Sequence, residues 1–415
     1  MIKTIGCQMN ICESEKLGFA LLAYGASKAS SFVAADIIIL NACCVRSQAE
    51  QKAFSYLGRL EEFKLEKSNV KIVVVGCMAE RLGTKLKQRF KSVDLIIGAK
   101  ETDSIALKIV NLYGNNTLKR KKINVVFDVV KYVIVMRGCN NYCSYCIVPF
   151  VRGNEKSFSA RDIINECILA AENGTKEIIL LGQNVNSYLY KNVNFTLLIK
   201  KIVSIKNIER VRFMTNHPKD LSDDLINVMA TESKVCSHIH LPMQSASNKI
   251  LKAMNRKYTY EHYLGLISKL RVAIPDINIT TDIIVGFPGE TEKDFEETLK
   301  AIKNIRFGWL YVFKYSHRPR TKIAEMIDDV TLVEKKRRHS IILKESNKIS
   351  IEIASSMIGS LQTVLVEKVD KGIIEARTES GRKVFINGGN EKYLGLQFNV
   401  CIKEAKINSL FGCIV

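Results

Sequence analysis

Cys139-Asn140-Asn141-Tyr142-Cys143-Ser144-Tyr145-Cys146 places three thiols on one short stretch, directly after an apolar run at 133–137 that reads as a strand. Three thiolates on a tight loop can hold three irons of a four-iron cluster and leave the fourth without a protein ligand. A structural zinc would need a fourth ligand, which the local sequence does not supply. An open iron can bind a substrate or a cofactor.

Downstream of this loop, strand patterns at 177–181, 210–214, 238–241, 278–285 and 310–315 alternate with helical periodicity at 160–173, 221–232, 260–272 and 292–305. Six β/α units predict a partial (β/α)6 barrel of the TIM type, with function at the carboxyl ends of its strands. Gln183, Asn184, Gln244 and Ser245 follow the second and fourth strands and are candidate cofactor contacts, although purely structural roles fit them equally well. Glu290 follows Gly286-Phe287-Pro288-Gly289, where a ligand contact and a turn into a helix satisfy the pattern equally. His217 and His240 are possible polar site residues, while histidines so placed are more often satisfied core or loop groups. Lys335-Lys336-Arg337-Arg338-His339 reads as a solvated helix face.

Upstream, residues 1–117 alternate apolar strands at 3–6, 36–40, 71–76 and 95–98 with amphipathic segments, which predicts an open α/β sheet, mostly parallel. The first three strands run into Cys7, Cys43 and Cys77, separated by 36 and 34 residues. Loops at the carboxyl ends of such strands form the ligand crevice. Three thiols can therefore meet in space and give a second cluster with one open iron. The basic stretch 115–122 lacks periodicity and reads as a linker between this unit and a second one at 125–355. Residues 358–415 change to short strands at 361–366, 373–378, 383–386 and 399–402 with glycine at the turns, which predicts a small OB-like β barrel, a frequent nucleic-acid binder.

The whole chain has 415 residues, of which 47% are hydrophobic and 25% charged, so collagen-like and wholly disordered classes are excluded. Twelve cysteines are too few for a disulfide scaffold, and no long apolar span or leader pattern is present, so a cytoplasmic protein without a membrane role is expected. Cys12, Cys167, Cys236, Cys401 and Cys413 lack ligand spacing and read as structural. The net charge of +20 favours a polyanionic partner, although a general lysine excess gives the same number and charge does not separate RNA from a membrane surface.

The CxxxCxxC at the head of a β/α repeat resembles the radical-SAM enzymes. Ile5-Gly6-Cys7-Gln8-Met9-Asn10, Asn41-Ala42-Cys43-Cys44-Val45-Arg46 and Gly76-Cys77-Met78-Ala79-Glu80-Arg81 closely resemble the methylthiotransferase family within them. The resemblance extends to Thr215-Asn216-His217-Pro218, to 241–247, to 254–259 and to 282–291, and the last β unit is similar to the family's RNA-binding TRAM domain. It implies two 4Fe–4S clusters, one on Cys7, Cys43 and Cys77 that supplies sulfur and one on Cys139, Cys143 and Cys146 that binds and cleaves S-adenosylmethionine (SAM). Tyr145, Gln183, Gln244 and Ser245 are the expected cofactor contacts, and no side chain is assigned as catalytic.

Gly-Cys-Gln-Met-Asn at the first cysteine is similar to the MiaB branch of that family, which methylthiolates isopentenylated adenosine next to the tRNA anticodon. The partners so implied are a tRNA anticodon stem-loop, an electron donor such as flavodoxin or ferredoxin and a sulfur donor, with the enzyme a monomer. Other branches act on threonylcarbamoyl-adenosine or on a ribosomal protein, and a non-catalytic RNA-binding redox sensor is the alternative of another class. Ala42, Cys44, Asn216, Ala246 and Arg320 stand where Thr, Ser, Ser, Gly and Gly are usual in the family. Cys44 is a second thiol that competes with Cys43 for iron, and Arg320 bears on substrate choice. The terminal β unit is expected to be separable, so that removing 358–415 weakens tRNA binding and spares SAM cleavage.

Overall fold

The computed structural model describes residues 1–112, 121 and 127–415. The linker expected at 115–122 therefore lies, apart from Lys121, outside the described residues. The chain forms two compact units. One holds the N-terminal segment together with 137–140 and 146–156; the other holds the segment ending at Met136, residues 141–145 and residues 157–415.

The first unit is built on four parallel strands, β1 (Ile2–Ile5), β2 (Ile37–Ala42), β3 (Lys71–Gly76) and β4 (Leu95–Gly98), side by side in chain order. Side chains alternate across a strand. Ile38, Leu40, Ile72 and Val74 thus fill one core with Ala53, Leu57 and Leu60 of the helix Ser47–Glu66. Ile39, Val73, Val75 and Ile97 fill another with Leu17 and Leu21 of the helix Gln8–Ala23. Burial on both faces explains why β2 and β3 are continuous apolar runs. The register sets Ile5 beside Ala42 and Asn41 beside Val75, which brings the residues after β1, β2 and β3 to one edge.

The second unit contains the six expected parallel strands. Val130–Ile134, Glu177–Leu181 and Arg210–Phe213 form one ladder; His238–His240, Asn278–Val285 and Trp309–Lys314 form the next. A bridge from Val211 to Val235, just ahead of His238–His240, links the first ladder to the segment that leads into the second, so the partial barrel runs in chain order. Its helices begin where the sequence provides caps. Ser222 accepts from the Leu225 amide at 3.2 Å, and Thr291 and Asp294 form a reciprocal capping box before Glu292–Ile305.

The C-terminal segment is a closed five-stranded barrel rather than four strands. The extra strand, Ser409–Ile414, pairs parallel with Lys383–Asn387 and antiparallel with Gln397–Lys406. Its Gly412 explains why propensity hides it: a Cβ there would lie 2.5 Å from the Cys401 carbonyl oxygen, so the closure needs a residue that strand scales disfavour.

This small barrel and the partial barrel are joined by buried arginines. Arg210 donates to the Arg377 and Thr363 carbonyls at 2.6 and 3.1 Å and to Gln397 Oε1 at 2.9 Å. Arg212 donates to Glu177 Oε1 at 2.8 Å and to the carbonyls of Glu379 and Thr378. In the other direction Arg382 donates to the Gly308 carbonyl at 3.3 Å. Gly381, at φ +89°, closes the turn so tightly that a Cβ would stand 3.2 Å from Arg212 Nη1 and 3.3 Å from the Trp309 ring.

The basic run 335–339 also differs from expectation. It lies on the long helix Leu332–Ser355, but Lys335 and Arg338 are buried. Lys335 pairs with Asp328, and Arg338 Nη1 donates to Glu290 Oε2 at 2.7 Å. Two of the five positions are thus internal ion pairs, because Asp328 on the preceding loop and Glu290 in the turn after Asn278–Val285 sit within reach.

Candidate functional site

In the first unit, Cys7 precedes the helix Gln8–Ala23, Cys43 follows β2 and Cys77 opens the helix Cys77–Leu82 directly after β3. Cys43 and Cys77 are buried and Cys7 is exposed. The thiol of Cys43 hydrogen-bonds Cys7, which draws Cys7 down to about 6, with the Arg152 charge assisting. Cys43 is pushed up by the same bond. Burial pushes Cys77 up to about 11, opposed by Arg152, whose Nε donates to Cys77 Sγ at 3.1 Å. Arg152 is itself held by two bonds to Glu13, at 2.8 and 3.1 Å.

A buried amide pair fixes the rim of this site. Asn10 Nδ2 donates to Asn41 Oδ1 at 2.8 Å, and Asn41 Nδ2 donates to the Asn10 carbonyl and to Ser14 Oγ. Both neighbouring glycines are required. A Cβ on Gly6 would meet Asn10 Oδ1 at 2.6 Å, and one on Gly76, at φ +93°, would meet Asn41 Oδ1 at 2.4 Å. Gly76→Ala combines a backbone region nearly closed to side chains with this clash, so it should cost about 3 kcal/mol. Thermal unfolding checks this; an unchanged midpoint would contradict the packing described.

Among the described residues no three His, Cys, Asp or Glu side chains gather tightly enough to ligate one metal ion. Thiols that hold three corners of an iron–sulfur cube stand farther apart than the ligands of one ion. The donor set suits such a cluster, since the three thiols interact electrostatically and the buried Arg152 guanidinium favours the ionised forms of Cys7 and Cys77. Cys44 packs in the apolar core.

On the CxxxCxxC loop, Cys139 and Cys146 are part-exposed and belong to the first unit, where the Cys139 amide donates to the Gly153 carbonyl at 3.3 Å. Cys143 belongs to the second unit and is buried. Buried Arg256 donates from Nη1 to Cys143 Sγ at 3.2 Å, from Nη2 to the Pro242 carbonyl and from Nε to Tyr258 Oη. Asn255 Nδ2 donates to the carbonyls of Asn141 and Tyr142, and the Ser144 amide donates to the Met254 carbonyl. The segment 254–256 therefore clamps the middle of the loop.

The four expected cofactor contacts fare differently. Tyr145 is half-buried and meets the Phe287 ring edge-on at 6.3 Å. Gln183 is half-buried beyond the second strand. Gln244 sits in the left-handed region at φ +70° with its Oε1 buried and without a hydrogen-bond partner. Ser245 is fully buried, with its hydroxyl 3.3 Å from Thr298 Oγ1 and accepting from the Ser247 amide. Glu290 takes the turn role, with Oε2 accepting from the Gly286 amide at 2.6 Å and from Arg338.

Further buried polar atoms at the strand ends lack partners: Asn184 Oδ1, Asn216 Oδ1 and His217 Nε2. Burial and the charges of Arg256 and Lys219 lower His217 to about 2, so it is neutral. His240 hydrogen-bonds Thr280 at 3.0 Å and lies 3.5 Å from Asp282. Arg320 stands at φ +73°, the backbone region that favours glycine. Sequence reasoning missed Arg152 and Arg256. Each had a signal, one a lone charge ending the apolar Val148–Arg152, the other a charge inside a family motif.

Three family descriptions match: "Uncharacterized protein family UPF0004" over residues 1–98, "Radical SAM superfamily" over 133–302 and "TRAM domain" over 355–415. A tRNA-2-methylthio-N(6)-dimethylallyladenosine synthase from Endomicrobium trichonymphae is 66% identical, covering 100% of this chain and 99% of its own. The chain belongs to this synthase family. It is a radical-SAM enzyme, and its cofactors are SAM and two 4Fe–4S clusters. A second synthase of the family, from Thermodesulfovibrio yellowstonii, is 44% identical over 100% of this chain and 98% of its own. Among solved structures, the radical SAM methyltransferase TsrM from Kitasatospora setae shares the fold at 13% identity, with a TM-score of 0.55 over 89% of this chain and 72% of that one. No helix among the described residues is long and apolar enough to cross a membrane.

Proposed function

We propose that this enzyme inserts a methylthio group at the adenine ring of isopentenyl (dimethylallyl) adenosine next to the anticodon of tRNA. The full-length likeness to the synthase family carries the reading. Segments 1–117, 125–355 and 358–415 would serve as sulfur platform, radical source and RNA-binding TRAM domain. Cys7, Cys43 and Cys77 would hold one cluster and Cys139, Cys143 and Cys146 the other, with Tyr145, Gln183, Gln244 and Ser245 near the bound SAM. When bound, these cofactors supply the methyl group, the sulfur and the radical that removes hydrogen from the ring carbon.

The chain's own residues bind, orient and exclude water. Arg152 presents a buried guanidinium to the Cys77 thiol at 3.1 Å, which favours the thiolate form that iron requires, and Arg256 presents another to the Cys143 thiol at 3.2 Å, which orients it. The net charge of +20 suits phosphate contacts that position tRNA without choosing the base. A low-potential electron donor such as flavodoxin or ferredoxin and a separate sulfur donor complete the set, with the enzyme acting as a cytoplasmic monomer.

Nucleoside mass spectrometry of tRNA from cells with and without this protein tests the reading. The methylthio derivative of isopentenyladenosine should vanish without it and unmodified isopentenyladenosine should accumulate. Equal levels in both would refute the assignment.

A further inference from the structure

His217 follows the third barrel strand and is 5% exposed. Its Nδ1 accepts from the Lys219 amide at 3.3 Å, so that nitrogen carries no proton and the remaining one is Nε2–H. That buried donor has no partner. The ring is held rather than loose: its backbone is doubly bonded to Asn186, and its edge meets the Tyr258 ring at 5.6 Å. Tyr258 in turn accepts from Arg256, the residue that donates to Cys143. A fixed donor left unpaired in a buried place is destabilising unless a ligand completes it.

The other unpartnered atoms on neighbouring strand ends are acceptors: Asn184 and Asn216 at their Oδ1, Gln244 at its Oε1. In two of them the side-chain nitrogen is occupied, by Asp220 for Asn184 at 2.7 Å and by the His240 carbonyl for Asn216 at 3.0 Å, which leaves the oxygen as the free atom. One donor among several acceptors complements an adenine, whose ring nitrogens accept and whose exocyclic nitrogen still donates one N–H when singly alkylated. We propose that His217 is a positioning residue whose Nε2–H is kept for a ring nitrogen of a bound adenine at the barrel mouth. The inference rests on the function proposed above, which brings two adenines to this enzyme, that of SAM and that of the tRNA nucleoside.

Equilibrium binding to the reconstituted full-length enzyme, by anaerobic calorimetry, separates them. One arm uses SAM and its 1-deaza, 3-deaza and 7-deaza forms; the other uses an anticodon stem-loop carrying isopentenyladenosine or the same deaza forms. In one arm, one deaza form should bind about tenfold more weakly than its parent, the loss of a single ring-nitrogen acceptor facing a buried donor. His217→Phe, which keeps a ring against Tyr258 without the donor, should erase that discrimination. His217→Gln, which keeps an N–H, should restore part of it. Discrimination in the SAM arm assigns the cofactor's adenine, and in the RNA arm the substrate's. No deaza penalty in either arm, or one that survives in His217→Phe, overturns the proposal. A stem-loop that fails to bind while a SAM-arm penalty persists would refute the proposed substrate and leave His217's role standing.

Discussion

Replacing Cys7, Cys43 and Cys77 together with alanine should abolish methylthiolated product while reductive cleavage of SAM continues. The three side chains stand at the ends of three adjacent parallel strands, and Cys43 couples electrostatically to both of the others. Cys143 itself is held within the second unit, where Arg256 donates to its thiol and Asn255 to the neighbouring Tyr142 carbonyl. The variant should keep about half the iron. Arg152 keeps its two bonds to Glu13 after losing Cys77, so the first unit should remain folded. The reciprocal Cys139, Cys143, Cys146 variant should also keep about half the iron but lose SAM cleavage. Product at parental yield from the first variant would rule out the sulfur platform on these thiols.

A chain lacking residues 358–415 should lose SAM cleavage as well as tRNA binding. This reverses the separability that the sequence suggests. Removing the small barrel strips Arg210 of the carbonyls of Arg377 and Thr363 and of Gln397, and strips Arg212 of two more carbonyls. Arg210 is 2% exposed and would be left facing solvent or unpaired. Arg212→Leu in the intact chain probes the same junction. It leaves the fully buried Glu177 carboxylate without its guanidinium and should destabilise the second unit by about 3–5 kcal/mol. Thermal unfolding and SAM cleavage measured together decide the matter. A truncated chain with the parental midpoint and cleavage rate would show the junction to be dispensable.

Periodicity made the strands legible because most of them are buried on both faces, as Ile38–Leu40 and Ile178–Leu181 are. The strand-end placement of Cys7, Cys43 and Cys77 was legible because each follows closely on an apolar strand run. What stayed hidden depends on contacts remote in sequence. The strand Ser409–Ile414 was concealed by Gly412, which only the approach of Cys401 explains. Lys335 and Arg338 looked solvated because their partners, Asp328 and Glu290, lie on a preceding loop and strand end. The roles of Arg152 and Arg256 could not be read because nothing local links a guanidinium to a thiol 75 or 113 residues away. Arg320 was read as a departure from a usual glycine, and its φ of +73° supplies the reason glycine suits that place.

Giving the reduced, reconstituted enzyme isopentenylated and threonylcarbamoylated tRNA in parallel, with the nucleosides analysed by mass spectrometry, decides the substrate. Isopentenyladenosine should gain a methylthio group and threonylcarbamoyl-adenosine should not. Conversion of only the threonylcarbamoylated tRNA would contradict the proposed function.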